Sequence, residues 1–175
     1  KRVIWAKLIN NGQVCIAPDY VHVHKDVKEE FTKHLITNIN KLYTDDSSKS
    51  SSYCRIVNNN HFKRLERLLD NSIKNGSKII YGGKVNSKDN FIEPTIIENV
   101  SSDSIIYKEE IFGPILPIFT YEKIEDVITF INEKEKPLAL YIFSRNNKNI
   151  NKILKETSSG GVCINHNTLH YSNYH

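Results

Sequence analysis

Apolar residues in this chain switch repeatedly between the helical spacing of about 3.6 and the strand spacing of two, and that alternation most limits the folds open to it. Interleaved segments of the two kinds define an α/β layer fold rather than separate helical and sheet regions. Tyr20-Val21-His22-Val23-His24 alternates as a strand, and Asp26 is placed to cap a helix carrying Val27, Phe31, Leu35, Ile39 and Leu42. Residues 44–52 are polar and serine-rich and are predicted to form an exposed loop. Phe62, Leu65, Leu68, Leu69 and Ile73 make a second helical stripe, ended by Asn75-Gly76, and Lys78-Ile79-Ile80-Tyr81 follows as a strand before Gly82-Gly83. Residues 91–97 read as a strand whose Pro94 marks an edge or bulge, and residues 115–121 as another. A helix from about Ile124 to Glu133 precedes the apolar run 138–143, whose lack of alternation predicts a central strand covered on both faces. A last helix, from about Lys148 to Glu156, leads through Ser158-Ser159-Gly160-Gly161 into the strand Val162-Cys163-Ile164-Asn165, and the tail from His166 to His175 has no decisive period.

With 175 residues, 39% of them hydrophobic and 25% charged, the chain can bury the core of about one domain. Its net charge of +4 is spread among many side chains, which argues against a nucleic-acid partner. No apolar stretch approaches the ~20 residues that span a bilayer, and the first residues lack a signal-peptide core. Three widely spaced cysteines without a Cys-x-x-Cys pair suggest neither zinc nor a disulfide framework, so a reducing compartment is expected, with localisation otherwise left open. There is no Gly-x-Gly-x-x-Gly or Walker-type loop to cradle a cofactor phosphate.

Cys15 lies in Asn10-Asn11-Gly12-Gln13-Val14-Cys15-Ile16-Ala17-Pro18, where chain-breaking residues on both sides could hold a side chain at the mouth of a cleft. Spacing alone also allows a small buried hydrophobe, the usual state of a free cysteine, and that reading is stronger for Cys54 and Cys163. Glu109-Glu110-Ile111-Phe112-Gly113-Pro114 joins paired carboxylates to an aromatic and a turn. It could serve proton transfer or be a solvated acidic turn. His22 and His24 face the same way on a strand, and His166 and His170 would do so on a helix, but neither pair has a third metal ligand at matching spacing, so no metal site is assigned.

Taken together, these stretches resemble the aldehyde dehydrogenase superfamily, most closely its class 3 and fatty-aldehyde branch. The likeness starts at Asn11-Gly12-Gln13-Val14-Cys15-Ile16-Ala17-Pro18-Asp19-Tyr20 and continues through Tyr53-Cys54-Arg55-Ile56-Val57-Asn58, His61-Phe62-Lys63-Arg64 and Gly82-Gly83. It proceeds through Glu109-Glu110-Ile111-Phe112-Gly113-Pro114-Ile115-Leu116-Pro117 and Pro137-Leu138-Ala139-Leu140-Tyr141-Ile142-Phe143-Ser144, and closes at Ser159-Gly160-Gly161-Val162-Cys163-Ile164-Asn165. The blocks occur in family order across nearly the whole chain. The serine-rich loop and the Asn/Lys-rich helices depart from family texture, and Cys54 stands where the family often has a small residue and takes no role.

The resemblance implies a three-layer α/β/α catalytic domain with a mostly parallel central sheet, spanning residues 1–175, with the NAD(P)-binding domain and the C-terminal oligomerisation tail outside it. It implies that Cys15 is the nucleophile that attacks an aldehyde to give a thiohemiacetal and then, after hydride passes to NAD or NADP, a thioester that water hydrolyses. The backbone N–H of Cys15 would be one oxyanion donor, Glu110 would hydrogen-bond the nicotinamide ribose, and Phe112 would pack beside the nicotinamide. The general-base glutamate and the oxyanion asparagine would lie upstream of Lys1, so the segment alone is expected to be inactive, and the full-length protein is expected to be a homodimer. Whether a membrane anchor follows His175 is left open, as are the particular aldehyde and the choice between NAD and NADP. Competing readings are an acyl-phosphate reductase or thiol esterase using the same cysteine, and a non-catalytic binding module in which Cys15 is inert.

Overall fold

The computed structural model describes residues 1–169. Its elements run α1 (Arg2–Leu8), β1 (Val21–His24), α2 (Lys28–Tyr43), α3 (Asn59–Lys74), β2 (Lys78–Tyr81), β3 (Val85–Asn86), β4 (Phe91–Ile92), β5 (Thr95–Glu98), α4 (Ile105–Lys108), β6 (Ile115–Tyr121), α5 (Ile124–Asn132), β7 (Ala139–Ile142), α6 (Asn147–Glu156) and β8 (Gly161–Ile164). The main sheet has the order β1-β6-β5-β2, with β1, β6 and β5 mutually parallel and β2 antiparallel at the edge.

Successive residues on a strand point to opposite faces, and both central strands are apolar on both. Ile96 and Leu116 pack with Ile4 and Leu8 of α1 and Leu35 and Ile39 of α2, whereas their neighbours Ile97 and Ile115 pack with Phe62, Leu65 and Leu68 of α3. Helices therefore cover both sides of the sheet, the three-layer arrangement that the resemblance implied. A third, smaller core joins Ile128 of α5, Ile142 of β7, and Ile150 and Ile153 of α6.

The secondary structure differs from the sequence reading at β7, at Pro94 and at Asp26. The strands wrapped on both faces are β5 and β6, not the run 138–143. Among the described residues β7 pairs only with β8, and Leu138 and Phe143 at its ends are exposed. An unbroken apolar run reports hydrophobicity but not how many faces find a partner. Pro94 ends one strand rather than bulging it: β4 pairs with β3 and β5 with β6, so the two halves belong to different sheets. Asp26 does not cap α2. It sits in a short 3-10 turn and its N–H donates to His24 Nδ1 at 3.3 Å, while Val27 occupies the capping position. The α3 ending agrees with the reading, with Gly76 at φ +94° and the Ser77 N–H returning to the Ser72 carbonyl. Among the described residues no helix is long and apolar enough to cross a membrane.

Candidate active site

The segment after α1 reverses direction through three consecutive left-handed residues, Asn10, Asn11 and Gly12, the first two of a type that tolerates this region. Gly12 has no substitute here, because a Cβ on it would collide with the Gly113 carbonyl. That contact seats the turn directly against the end of loop 109–113. Beyond it the Ala17 N–H donates to the Val14 carbonyl at 2.9 Å, closing a turn with Cys15 at its corner and its thiol exposed.

Two amides fix the turn from below. Asn11 is fully buried and its Nδ2 donates to the Cys54 carbonyl at 2.6 Å. Gln13 donates to the Asn10 and Arg55 carbonyls at 2.9 and 3.2 Å and accepts from the Val57 N–H at 2.9 Å. A third link, 92 residues long in sequence, joins the turn to loop 109–113: Asp19 Oδ1 accepts from the Ile111 N–H at 3.0 Å. Neither Asn11 nor Asp19 carries a periodicity that singles it out in the sequence.

Cys15 and Glu110 line one cleft of about 820 Å³, together with Tyr20, His22, Tyr107, Phe119, Phe130 and Tyr141. Phe112 is not among the residues lining it, and its backbone is left-handed, at φ +52°. The two adjacent carboxylates diverge. Glu109 forms ion pairs with Arg64 at 3.7 Å and Arg67 at 3.4 Å, whereas Glu110 is exposed and its carboxylate receives no hydrogen bond from the described residues. Its unused lone pairs, in the cleft that Cys15 also lines, form an acceptor set that fits the hydroxyls of a ribose.

Lys7 is buried in α1, one turn ahead of Asn11. Desolvation brings its ammonium down to about 8, against a smaller opposing pull from Asp19 and Glu110. His22 lies among Tyr20, Phe119 and Phe130, and burial, with Lys134 adding to it, lowers it to about 4, so the ring is neutral and part of an aromatic cluster. Among the described residues no group of three or more His, Cys, Asp or Glu could hold a metal ion. His170 lies outside the described residues. Of the three cysteines only Cys163 takes the buried state, on β8; Cys54, like Cys15, is exposed.

The family model described as "Aldehyde dehydrogenase family" matches residues 1–174, and the chain belongs to that family. It is 42% identical over 172 residues to aldehyde dehydrogenase family 3 member A2 of Mus musculus, covering 98% of this chain and 34% of that protein. It is 41% identical over 172 residues to the dimeric NADP-preferring aldehyde dehydrogenase of Bos taurus, covering 98% and 70%. A substrate-bound structure of Staphylococcus aureus AldH superposes with a TM-score of 0.93 at 40% identity, over 98% of this chain and 37% of that one. Succinate-semialdehyde dehydrogenase from Burkholderia pseudomallei gives 0.84 at 29%, over 94% and 34%. The chain thus spans about a third of the length of most of these relatives.

Proposed function

We propose that the full-length protein containing this segment oxidises an aldehyde to a carboxylic acid with NAD or NADP, and that residues 1–175 are its nucleophile-bearing catalytic domain. In this reading Cys15 attacks the carbonyl carbon as a thiolate, forming a C–S bond and placing the negative charge on oxygen, where the Cys15 N–H is one of the donors. The carbonyl re-forms as hydride leaves carbon, giving a thioester on Sγ, and water cleaves that thioester to release the acid and the thiol. The dinucleotide supplies the hydride acceptor. Of the residues in this chain, Glu110 would hold its nicotinamide ribose and Phe112 would set the position of the ring.

The observation that carries the reading is the exposed thiol of Cys15 at a turn corner, in the same cleft as a carboxylate that receives no hydrogen bond from the described residues. Gly12 and Asp19 support it by coupling the cysteine turn to the loop that bears the carboxylate. The relatives named NADP-preferring support the cofactor, and those named dimeric support a homodimer. The general base and most of the dinucleotide contacts would come from the rest of the full-length protein. The experiment is Cys15→Ser in that protein: aldehyde-dependent formation of reduced cofactor should fall by at least about a thousandfold, as removal of a covalent nucleophile does elsewhere. Oxidation at the parent rate would favour the reading in which Cys15 is inert.

A further inference from the structure

Loop 109–113 is held in an unusual shape. Phe112 has φ +52°, a left-handed conformation that a bulky aromatic residue rarely adopts, so something outside the loop must impose it. The neighbour that does so is the first half of α3. Arg64 Nη1 donates to the Glu110 carbonyl at 3.0 Å and Nη2 to the Ile111 carbonyl, while His61 Nε2 lies 2.8 Å from the Phe112 carbonyl. The His61 ring also meets the Phe112 ring edge-on at 6.2 Å. Three successive carbonyls of the loop are thus taken by two side chains one helical turn apart.

The two side chains are themselves linked, because Arg64 Nε reaches His61 Nδ1 at 3.4 Å. A guanidinium only donates and a carbonyl only accepts, so a single state of the imidazole satisfies both neighbours: neutral, with Nδ1 accepting from Arg64 and Nε2–H donating to Phe112. The platform under this chain of bonds is rigid. The Asn58 side chain caps α3 by accepting from the His61 N–H at 2.9 Å, and Phe62 and Leu65 between and beside the two residues are fully buried. Any Cβ on Gly113 would strike Leu65, so the loop lies flat on the helix.

We infer that His61 and Arg64 are positioning residues for the dinucleotide, a hydrogen-bonded relay from Arg64 through His61 to the Phe112 carbonyl that fixes the main chain presenting Glu110 and Phe112. The inference rests on the reading of Glu110 and Phe112 given under the proposed function. Neither residue need touch the ligand, since each acts through the backbone it holds. Lysine cannot replace Arg64, because an ammonium lacks the planar fork that reaches two adjacent carbonyls and the imidazole at once.

The test uses the full-length protein with His61→Leu, His61→Gln, Arg64→Lys and, separately, Cys15→Ser. Equilibrium binding of NAD(P)⁺, followed by protein fluorescence, should weaken roughly five- to tenfold in His61→Leu and Arg64→Lys, the effect of losing one or two positioning hydrogen bonds. His61→Gln, whose amide can both accept from Arg64 and donate to Phe112, should recover most of that affinity. The rate at which iodoacetamide labels Cys15 should stay within about twofold throughout, because the bonds of Asn11 and Gln13 to residues 54–57 and the turn's links to the loop through Gly12 and Asp19 involve neither His61 nor Arg64. Parent-like cofactor affinity in both His61→Leu and Arg64→Lys would overturn the relay. So would a loss of affinity that Gln does not restore and that comes with an equal change in Cys15 labelling, which would mark a general collapse. If Cys15→Ser abolishes oxidation while His61→Leu binds cofactor normally, the relay fails and the proposed function stands. If Cys15→Ser oxidises aldehyde normally, the proposed function fails and removes the relay's purpose with it.

Discussion

At the scale of single residues, the site is defined by positions where only one side chain fits. Gly12 joins two constraints, a φ of +74° and the backbone of Gly113 where its Cβ would stand. Alanine there must strain its own backbone and push the cysteine turn away from loop 109–113, and neither cost can be relieved by a rotamer change because the obstacle is a carbonyl. Gly12→Ala should therefore lower the stability of the full-length protein by about 2 to 4 kcal/mol in urea unfolding, in the range of substitutions that strain a special backbone position. A change below about 0.5 kcal/mol, the size of an ordinary surface substitution, would mean that the turn and the loop are not in register. Gly76 makes the contrast, since its φ of +94° faces open space and only the conformational cost applies.

At the scale of elements, α3 carries the most. Its stripe of Phe62, Leu65, Leu68 and Leu69 seals one face of the sheet, the half-buried His61 and Arg64 of its first turns hold the loop, and Asn58 starts it at the correct residue. Asn58→Ala removes the side-chain oxygen that satisfies the His61 N–H, so it should cost about 1 kcal/mol in thermal or chemical unfolding, with Asn58→Asp close to the parent. An alanine variant as stable as the parent would show that the helix start is fixed by Phe62 packing alone. The stripe was legible from sequence because helical spacing and burial share a cause, although Ile73 on the same stripe is 43% exposed where the helix runs past its partner. The strands β1 and β6 were legible for the same kind of reason. The double burial of β5 and β6 was not, because it depends on which helices return to which face, and a strand's own residues do not encode that. Nor were the contacts that organise the site, such as Asp19 to Ile111 and Asn11 to Cys54. A hydrogen bond between segments distant in the chain leaves no period to read, and the resemblance to a family supplied Cys15, Glu110 and Phe112 without supplying what holds them.

For the molecule as a whole, the least expected feature is an ammonium inside its core. Lys7 is 1% exposed on α1, whose other inward residues, Ile4 and Leu8, are part of the apolar layer between α1, α2 and the sheet. Its fall to about 8 from an ordinary 10.5 says that burial costs the charged form more than Asp19 and Glu110 return. The unfolded chain therefore holds this proton more tightly than the folded one. The penalty is present in full below pH 8 and is relieved as pH rises from about 8 to about 10.5, with stability increasing over that window. A depression of this size corresponds to about 3 kcal/mol at neutral pH. Lys7→Met keeps the volume and removes the charge, and the carboxylates it leaves are not stranded, because Glu110 is exposed and Asp19 retains the Ile111 N–H. The variant should accordingly be more stable than the parent at pH 7, by up to about 3 kcal/mol, and the gap should close as both are measured toward pH 10. Taking the difference between two proteins that share every other titrating group isolates the one lysine. A variant less stable than its parent at pH 7 would mean that the ammonium is a net stabilising partner of the two carboxylates, and a gap that does not change with pH would mean that the lysine holds its proton equally in the folded and unfolded chains. A gap that closes would mark a cation kept in the core at the expense of folding, on the helix that leads into the cysteine turn and within reach of the fields of Asp19 and Glu110.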